Sequence, residues 1–125
     1  MRNVAIVSYA QTKYLASQKK MNEVEMLMPV LAEAVEKSGI PRKEIGFTCS
    51  GSSDYLAGQS FSFVAAVDAL GAWPPIAESH VEADGAWALY EAWVKLQIGE
   101  IDSALVFSFG RSSMGDPAST LVMQL

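Results

Sequence analysis

The stretch that most constrains this chain runs from Pro75 to Glu100, PIAESHVEADGAWALYEAWVKLQIGE. A short apolar run, Pro75 to Val81, turns through Glu82-Ala83-Asp84-Gly85 into a strongly apolar helical run that stops at Gly99. Asp84 is a good N-cap. The helix carries Trp87, Leu89, Trp93, Val94 and Leu96, is apolar nearly all round, and is expected to be buried on several sides. Pro74 and Pro75 impose extended backbone ahead of the strand. Strand, tight turn and helix in this order are a common way for α/β enzymes to present a reactive residue. The turn lies at a strand's carboxyl end, and the helix N-terminus offers free N–H groups and the positive end of a dipole.

The rest of the chain repeats the alternation. Asn3 to Ala10 (NVAIVSYA) is rich in β-branched residues and reads as a buried first strand. Gln11-Thr12-Lys13-Tyr14 follows it, so the glycine-rich dinucleotide fingerprint is absent. Gln11 to Met21 is polar and reads as a loop crossing a sheet edge. Asn22 with Glu25 makes a capping box, and Val24, Leu27, Met28, Leu31, Ala34 and Val35 recur at helical spacing up to Gly39 and Pro41. Pro29 inside that run predicts a kink, or a helix that starts near Met28. Ile45 to Ser50 reads as a second strand, and Gly51-Ser52-Ser53-Asp54 as a turn. Phe61 to Leu70 reads as a helix ending near Gly71, Ile76 to Val81 as the third strand, and Ala104 to Phe109 as the fourth. Gly110 to Pro117 is a polar loop. Strand and helix in alternation argue a mostly parallel sheet with helices on both faces.

Composition excludes several classes. In 125 residues, half are apolar and 18% charged, which suits one globular domain with a real core. A formal net charge of −5, with no basic cluster beyond Lys19-Lys20, argues against nucleic-acid binding. No apolar run approaches the roughly 20 residues that span a bilayer, and no signal peptide is visible. One Cys and one His cannot make an internal disulfide or a structural zinc site. A cytoplasmic location is expected.

Three local patterns together resemble thiolases, closest to the lipid-transfer (sterol carrier protein X) branch. In that family a strand ends in the nucleophilic Cys, followed by small residues, a Gly, and Ala-Leu inside a helix. Gly85 and Ala88-Leu89 match, and Glu82 then stands where the Cys should be. Phe109-Gly110-Arg111-Ser112-Ser113-Met114-Gly115 resembles the Gly-Gly-x-Glu-Ser-Met-Ser type of loop, with Ser112 in the Glu place. NVAIVSYAQTKY resembles the start of lipid-transfer thiolases. The likeness covers the whole chain and implies the first half of a thiolase-like fold. It implies, too, that residues 1–125 are the amino-terminal domain of a longer chain, in keeping with the apolar end LVMQL. An unrelated flavodoxin-like domain is the alternative fold.

The resemblance implies a coenzyme A thioester as substrate, with no covalently bound cofactor and no metal. Thiolysis needs a thiolate that Glu82 does not supply. This points to carbon–carbon cleavage without an acyl-enzyme, of the retro-aldol type, in lipid or steroid degradation. The alternative is a non-catalytic thiolase-like subunit or lipid carrier supporting an active partner.

Candidate catalytic residues are Glu82, His80 and Asp84; Arg111 is the candidate contact to coenzyme A phosphate. Each has a plainer reading. Glu82 can be a capping carboxylate, His80 structural, and Asp84 the N-cap. Cys49 is expected to be buried and inert. Ser50, Ser52 and Ser53 form no nucleophile elbow and read as a turn near the pocket. Trp87, Tyr90 and Trp93 read as core packing, with an acyl-pocket lining as the alternative. Pairing of third strands, as in thiolases, implies a homo-oligomer or a heteromer with another thiolase-like chain.

Overall fold

A computed structural model describes residues 1–57, 61–71 and 77–111, together with 118 and 122. Three strands, β1 (Phe47–Ser52), β2 (Glu78–Glu82) and β3 (Ala104–Ser108), form one parallel sheet in the order β2-β1-β3. The expectation of a parallel α/β sheet holds at this level. Helices α1 (Glu23–Ser38) and α3 (Phe63–Leu70) cover one face, and α4 (Gly85–Ile98) covers the other. The alternation of β3 shows the division. Leu105 and Phe107 pack against Leu27, Leu31, Ala69 and Leu70, while Ala104 and Val106 pack against Ala88 and Ala92. Successive side chains of a strand point to opposite faces, so one strand feeds two cores. Among the described residues no helix is long and apolar enough to cross a membrane.

The helix punctuation follows the sequence. Asn22 and Glu25 form a reciprocal capping box at the start of α1, and Gly39 ends it in the left-handed conformation at φ 69°. The helix nevertheless starts at Glu23 and runs through Pro29. Pro29 is exposed, so water can bond the carbonyl that its missing N–H leaves unpaired. Gly71 and Gly99 end α3 and α4 in the same left-handed way, at φ 64° and 76°.

Three expectations are corrected. Asn3 to Ala10 is not a strand: no described neighbour offers it a ladder, and Ile6 is 80% exposed. It is tied down at its ends instead. The Arg2 guanidinium donates to the Leu96 carbonyl (3.0 Å) and pairs with Asp102 (2.8 Å), and the Ser8 hydroxyl donates to the Ala34 carbonyl (2.8 Å). Second, β1 runs two residues later than Ile45–Ser50, and Gly51-Ser52 belongs to it rather than to a turn. A Cβ on Gly51 would lie 2.3 Å from the Asp84 carbonyl oxygen, so only glycine lets the chain after β2 cross so close to β1. Third, α4 is not buried all round. Only Ala88 and Ala92 are buried, while Trp87 (59%), Tyr90 (56%) and Trp93 (37%) are exposed. The small residues of α4 face the sheet, because they let the helix approach the flat Cys49–Gly51 stretch.

Strand β2 starts at Glu78; residue 76, expected in it, lies outside the described residues. So do residues 112–117 of the expected loop after β3.

Candidate functional site

Strand register builds a polar cluster at the carboxyl end of the sheet. Ser50 stands beside His80, and Ser52 beside Glu82. Spacing by two puts Ser50 and Ser52 on one face of β1, and His80 and Glu82 on the same face of β2. That face is the one covered by α3, whose first turn brings Ser62 and Phe63 over the cluster. The Phe63 ring lies 5.8 Å from the imidazole.

The contacts are specific. Ser50 Oγ lies 2.8 Å from His80 Nδ1. Ser52 Oγ lies 3.4 Å from His80 Nε2 and 2.8 Å from Ser62 Oγ. Glu82 Oε2 lies 3.6 Å from His80 Nε2, and Glu82 Oε1 accepts from the Asp54 backbone N–H at 2.8 Å. Asp54 opens a single helical turn, α2 (Asp54–Ala57), and its carboxylate accepts from the backbone N–H groups of Phe61 and Ser62, at 3.1 and 3.0 Å. Burial pushes the Asp54 carboxyl up, but the Ser62 and Phe61 donors outweigh it and hold the group below its usual range. Phe61 takes a left-handed φ of 57° to present its N–H; such strain persists where several bonds over-determine it.

Solvent grades across the cluster. Glu82 is more than half exposed and the His80 side chain is 14% exposed, whereas Ser50, Ser52 and Ser62 are buried. A cavity of about 10 Å³ touches Ser50 from the α3 side, lined also by Thr48, Ala66 and Phe107. That is room for about one water.

Of the candidates read from sequence, His80 and Glu82 meet and Asp84 does not join them. Asp84 caps α4, accepting from Ala86 and Trp87 N–H at 2.9 and 3.3 Å. The positive helix end expected beside Glu82 is thus filled by Asp84, and Glu82 faces α3 instead. Arg111 is also committed elsewhere. Its guanidinium pairs with Glu23 at 3.0 Å with both side chains buried, and its Nε–H donates to the Gln18 carbonyl. Cys49 is fully buried on the α4 face, its thiol pushed up from 9.0 to about 12 by burial and then by the nearby Glu91 carboxylate. Such a thiol holds no thiolate for nucleophilic attack at neutral pH. No group of His, Cys, Asp and Glu side chains among the described residues could hold a metal ion.

Sequence reasoning read the serines as a turn and passed over Asp54 and Ser62. The available signal was spacing: S-x-S in one strand and H-x-E in the next put four polar groups on one face, once the strands pair in register.

Comparison with known proteins adds no family: no protein-family model matches the chain, and no curated protein matches it.

Proposed function

We propose that this chain is a thiolase-like protein that acts on acyl-coenzyme A thioesters in lipid or steroid degradation, cleaving a carbon–carbon bond without an acyl-enzyme. The observation that carries the reading is the pairing of Glu82 with His80 at the carboxyl end of a parallel strand, with the chain's one thiol too buried to react. In the proposed step, Glu82, backed by His80, takes the proton from the β-hydroxyl of a β-hydroxyacyl thioester. The Cα–Cβ electron pair moves to Cα as an enolate, the β-carbon leaves as a carbonyl compound, and protonation of Cα completes the shorter thioester. No oxidant or metal is consumed. Asp54 fixes one Glu82 oxygen, Oε1, through its N–H, and the other, Oε2, faces His80 Nε2 as the working oxygen. Arg111 has no part in this reading, since it is held by Glu23.

The test is release of the aldehyde or ketone fragment from β-hydroxyacyl-coenzyme A by the full chain. Glu82→Gln should slow release about 100- to 10,000-fold, the range for a positioned general base. Equal rates in both proteins would remove Glu82 from the chemistry. Thiolysis of acetoacetyl-coenzyme A at ordinary thiolase rates would overturn the reading itself.

A second reading is a non-catalytic subunit or lipid carrier that supports a thiolase-like partner. The exposed aromatic row of Trp87, Tyr90 and Trp93, with Tyr90 stacked on Trp93 at 5.9 Å and edge-on to Trp87, favours it. Strand β2 lies at an edge of the three-stranded sheet, and an isologous contact would cover that edge and the aromatics together. The partner is a second copy or a homologous chain. Light scattering on the protein, alone and co-expressed with thiolase-like chains, should show a complex, and Trp87→Ser should weaken it. A monomer in both preparations sinks this reading.

A further inference from the structure

The hydrogen bonds around His80 have a direction, and the Glu82 carboxylate fixes it. A carboxylate can only accept, whereas a hydroxyl both donates and accepts. Glu82 Oε2 faces His80 Nε2, so the proton of the neutral ring belongs on Nε2. Nδ1 must then accept, and its partner is the Ser50 hydroxyl at 2.8 Å. At the other end, the Asp54 carboxylate accepts from the backbone N–H groups of Phe61 and Ser62 and holds Ser62 beside Ser52. The Ser52 and Ser62 hydroxyls lie 2.8 Å apart, and either can donate to the other. With the proton on Nε2, Ser52 accepts from the ring at 3.4 Å and donates to Ser62, so each hydroxyl has a consistent role. The tautomer that Glu82 requires satisfies the whole network.

We infer that Ser50, Ser52 and Ser62 are positioning residues that hold His80 in the single tautomer with its proton on Nε2, directed at Glu82. The burial of all three hydroxyls supports this. Ser50 is 5% exposed, Ser52 1% and Ser62 not at all, so bulk water competes little for their bonds, and a Ser52 hydroxyl turned toward the protonated Nε2 would leave a buried donor facing a donor. No buried polar side-chain atom lacks a partner among the described residues. The catalytic use of this arrangement rests on the reading proposed above. A neutral His80 with Nε2–H toward Glu82 orients that carboxylate and stabilises its charge, in the way a third group orients an acid–base pair.

His80 is the chain's only histidine, so one imidazole signal reports the whole question. The full chain, labelled with ¹⁵N in histidine, is studied by long-range ¹H–¹⁵N correlation about two pH units above the ordinary imidazole value of about 6.5. The expected spectrum has Nε2 protonated and Nδ1 as a hydrogen-bonded acceptor. A proton on Nδ1, or a mixture of tautomers, overturns the inference without any variant. Ser50→Ala should move the Nδ1 resonance toward that of an unbonded ring nitrogen. Ser50→Thr should restore it, because threonine keeps the hydroxyl and its methyl has the adjoining cavity of about 10 Å³. An unmoved resonance in folded Ser50→Ala, or no restoration in folded Ser50→Thr, removes Ser50 from the role. If Ser50→Ala does not fold, the native and threonine spectra still decide. No thioester enters these measurements. An inactive chain with this tautomer therefore loses only the proposed function, and an active chain with the other loses only this inference.

Discussion

Two short segments of this chain exchange the roles that their compositions suggest. Asn3 to Ala10 is β-branched and apolar, yet it is unpaired, with Val4, Ile6, Val7 and Tyr9 exposed. Phe47–Ser52, FTCSGS, is small and polar, yet it is the central strand and every residue of it is buried. β-propensity measures fit to a half-buried pleated surface, so neighbours decide it. β1 has a strand on each side and a helical layer on each face. Its small residues are what those neighbours require: Gly51 admits the Asp84 carbonyl, Cys49 meets the alanines of α4, and Ser50 and Ser52 meet His80. The N-terminal segment has anchors at its ends and no ladder between them.

The sharpest way to break the contrast is Gly51→Ala. The added Cβ would sit 2.3 Å from the Asp84 carbonyl oxygen and 2.5 Å from its carbon, and both are backbone atoms that cannot swing away. Overpacking of this kind costs about 3 kcal/mol, the upper end of its usual range. That is roughly 10 °C in the melting temperature of a domain this size. Calorimetry of the variant checks it. A melting temperature within about 2 °C of native would mean that β1 and the β2–α4 turn are not so closely crossed.

How much of this was legible follows from the same residues. The helix ends were, because Asn22, Glu25, Gly39, Asp84 and Gly99 act within a turn of where they stand. The parallel order of strands and the two helical layers were legible from alternation. The limits of β1 were not, because Gly51-Ser52 carries turn chemistry and only the crossing of Asp84, thirty-three positions away, turns it into strand. The candidate site was half legible. His80 and Glu82 stood out as polar residues closing a strand, but Ser62 and Asp54 reach them only through the packing of α3. The exposed aromatics of α4 were misread for the opposite reason. Helical spacing identifies a face, and here the buried face is the one made of alanines.

The second test uses Cys49, in the middle of β1. A thiol raised to about 12 in the folded chain, against an ordinary 9.0, stays protonated after an unfolded thiol would ionise. The folded pKa is the higher one, so the stabilisation is full below pH 9 and is lost as pH rises toward 12. Urea unfolding should show stability falling over that window, with a smaller fall in Cys49→Ala. The same burial predicts that alkylating reagents label Cys49 only after unfolding. Prompt labelling of the native chain at neutral pH would open the core drawn here.

The smallest expected effect belongs to the other segment and bears most on the comparison. Ile6 is 80% exposed, so Ile6→Ser removes little contact and should change stability by less than about 0.5 kcal/mol. The anchors at Arg2 and Ser8 do not involve its side chain. Were Asn3 to Ala10 a buried strand, as its composition suggests, the same substitution would cost several-fold more. It would delete a large apolar side chain from a core, worth about 2–5 kcal/mol when truncated to a small residue, and add an unpaired hydroxyl. The two outcomes are well separated in a urea titration. Repeating it across protein concentration adds a second distinction. A penalty that appears only at high concentration would place Ile6 in a contact between chains, where an exposed apolar segment gains the partner strand that a single chain does not give it. A large penalty at every concentration would return the segment to the core, and the contrast with β1 would end.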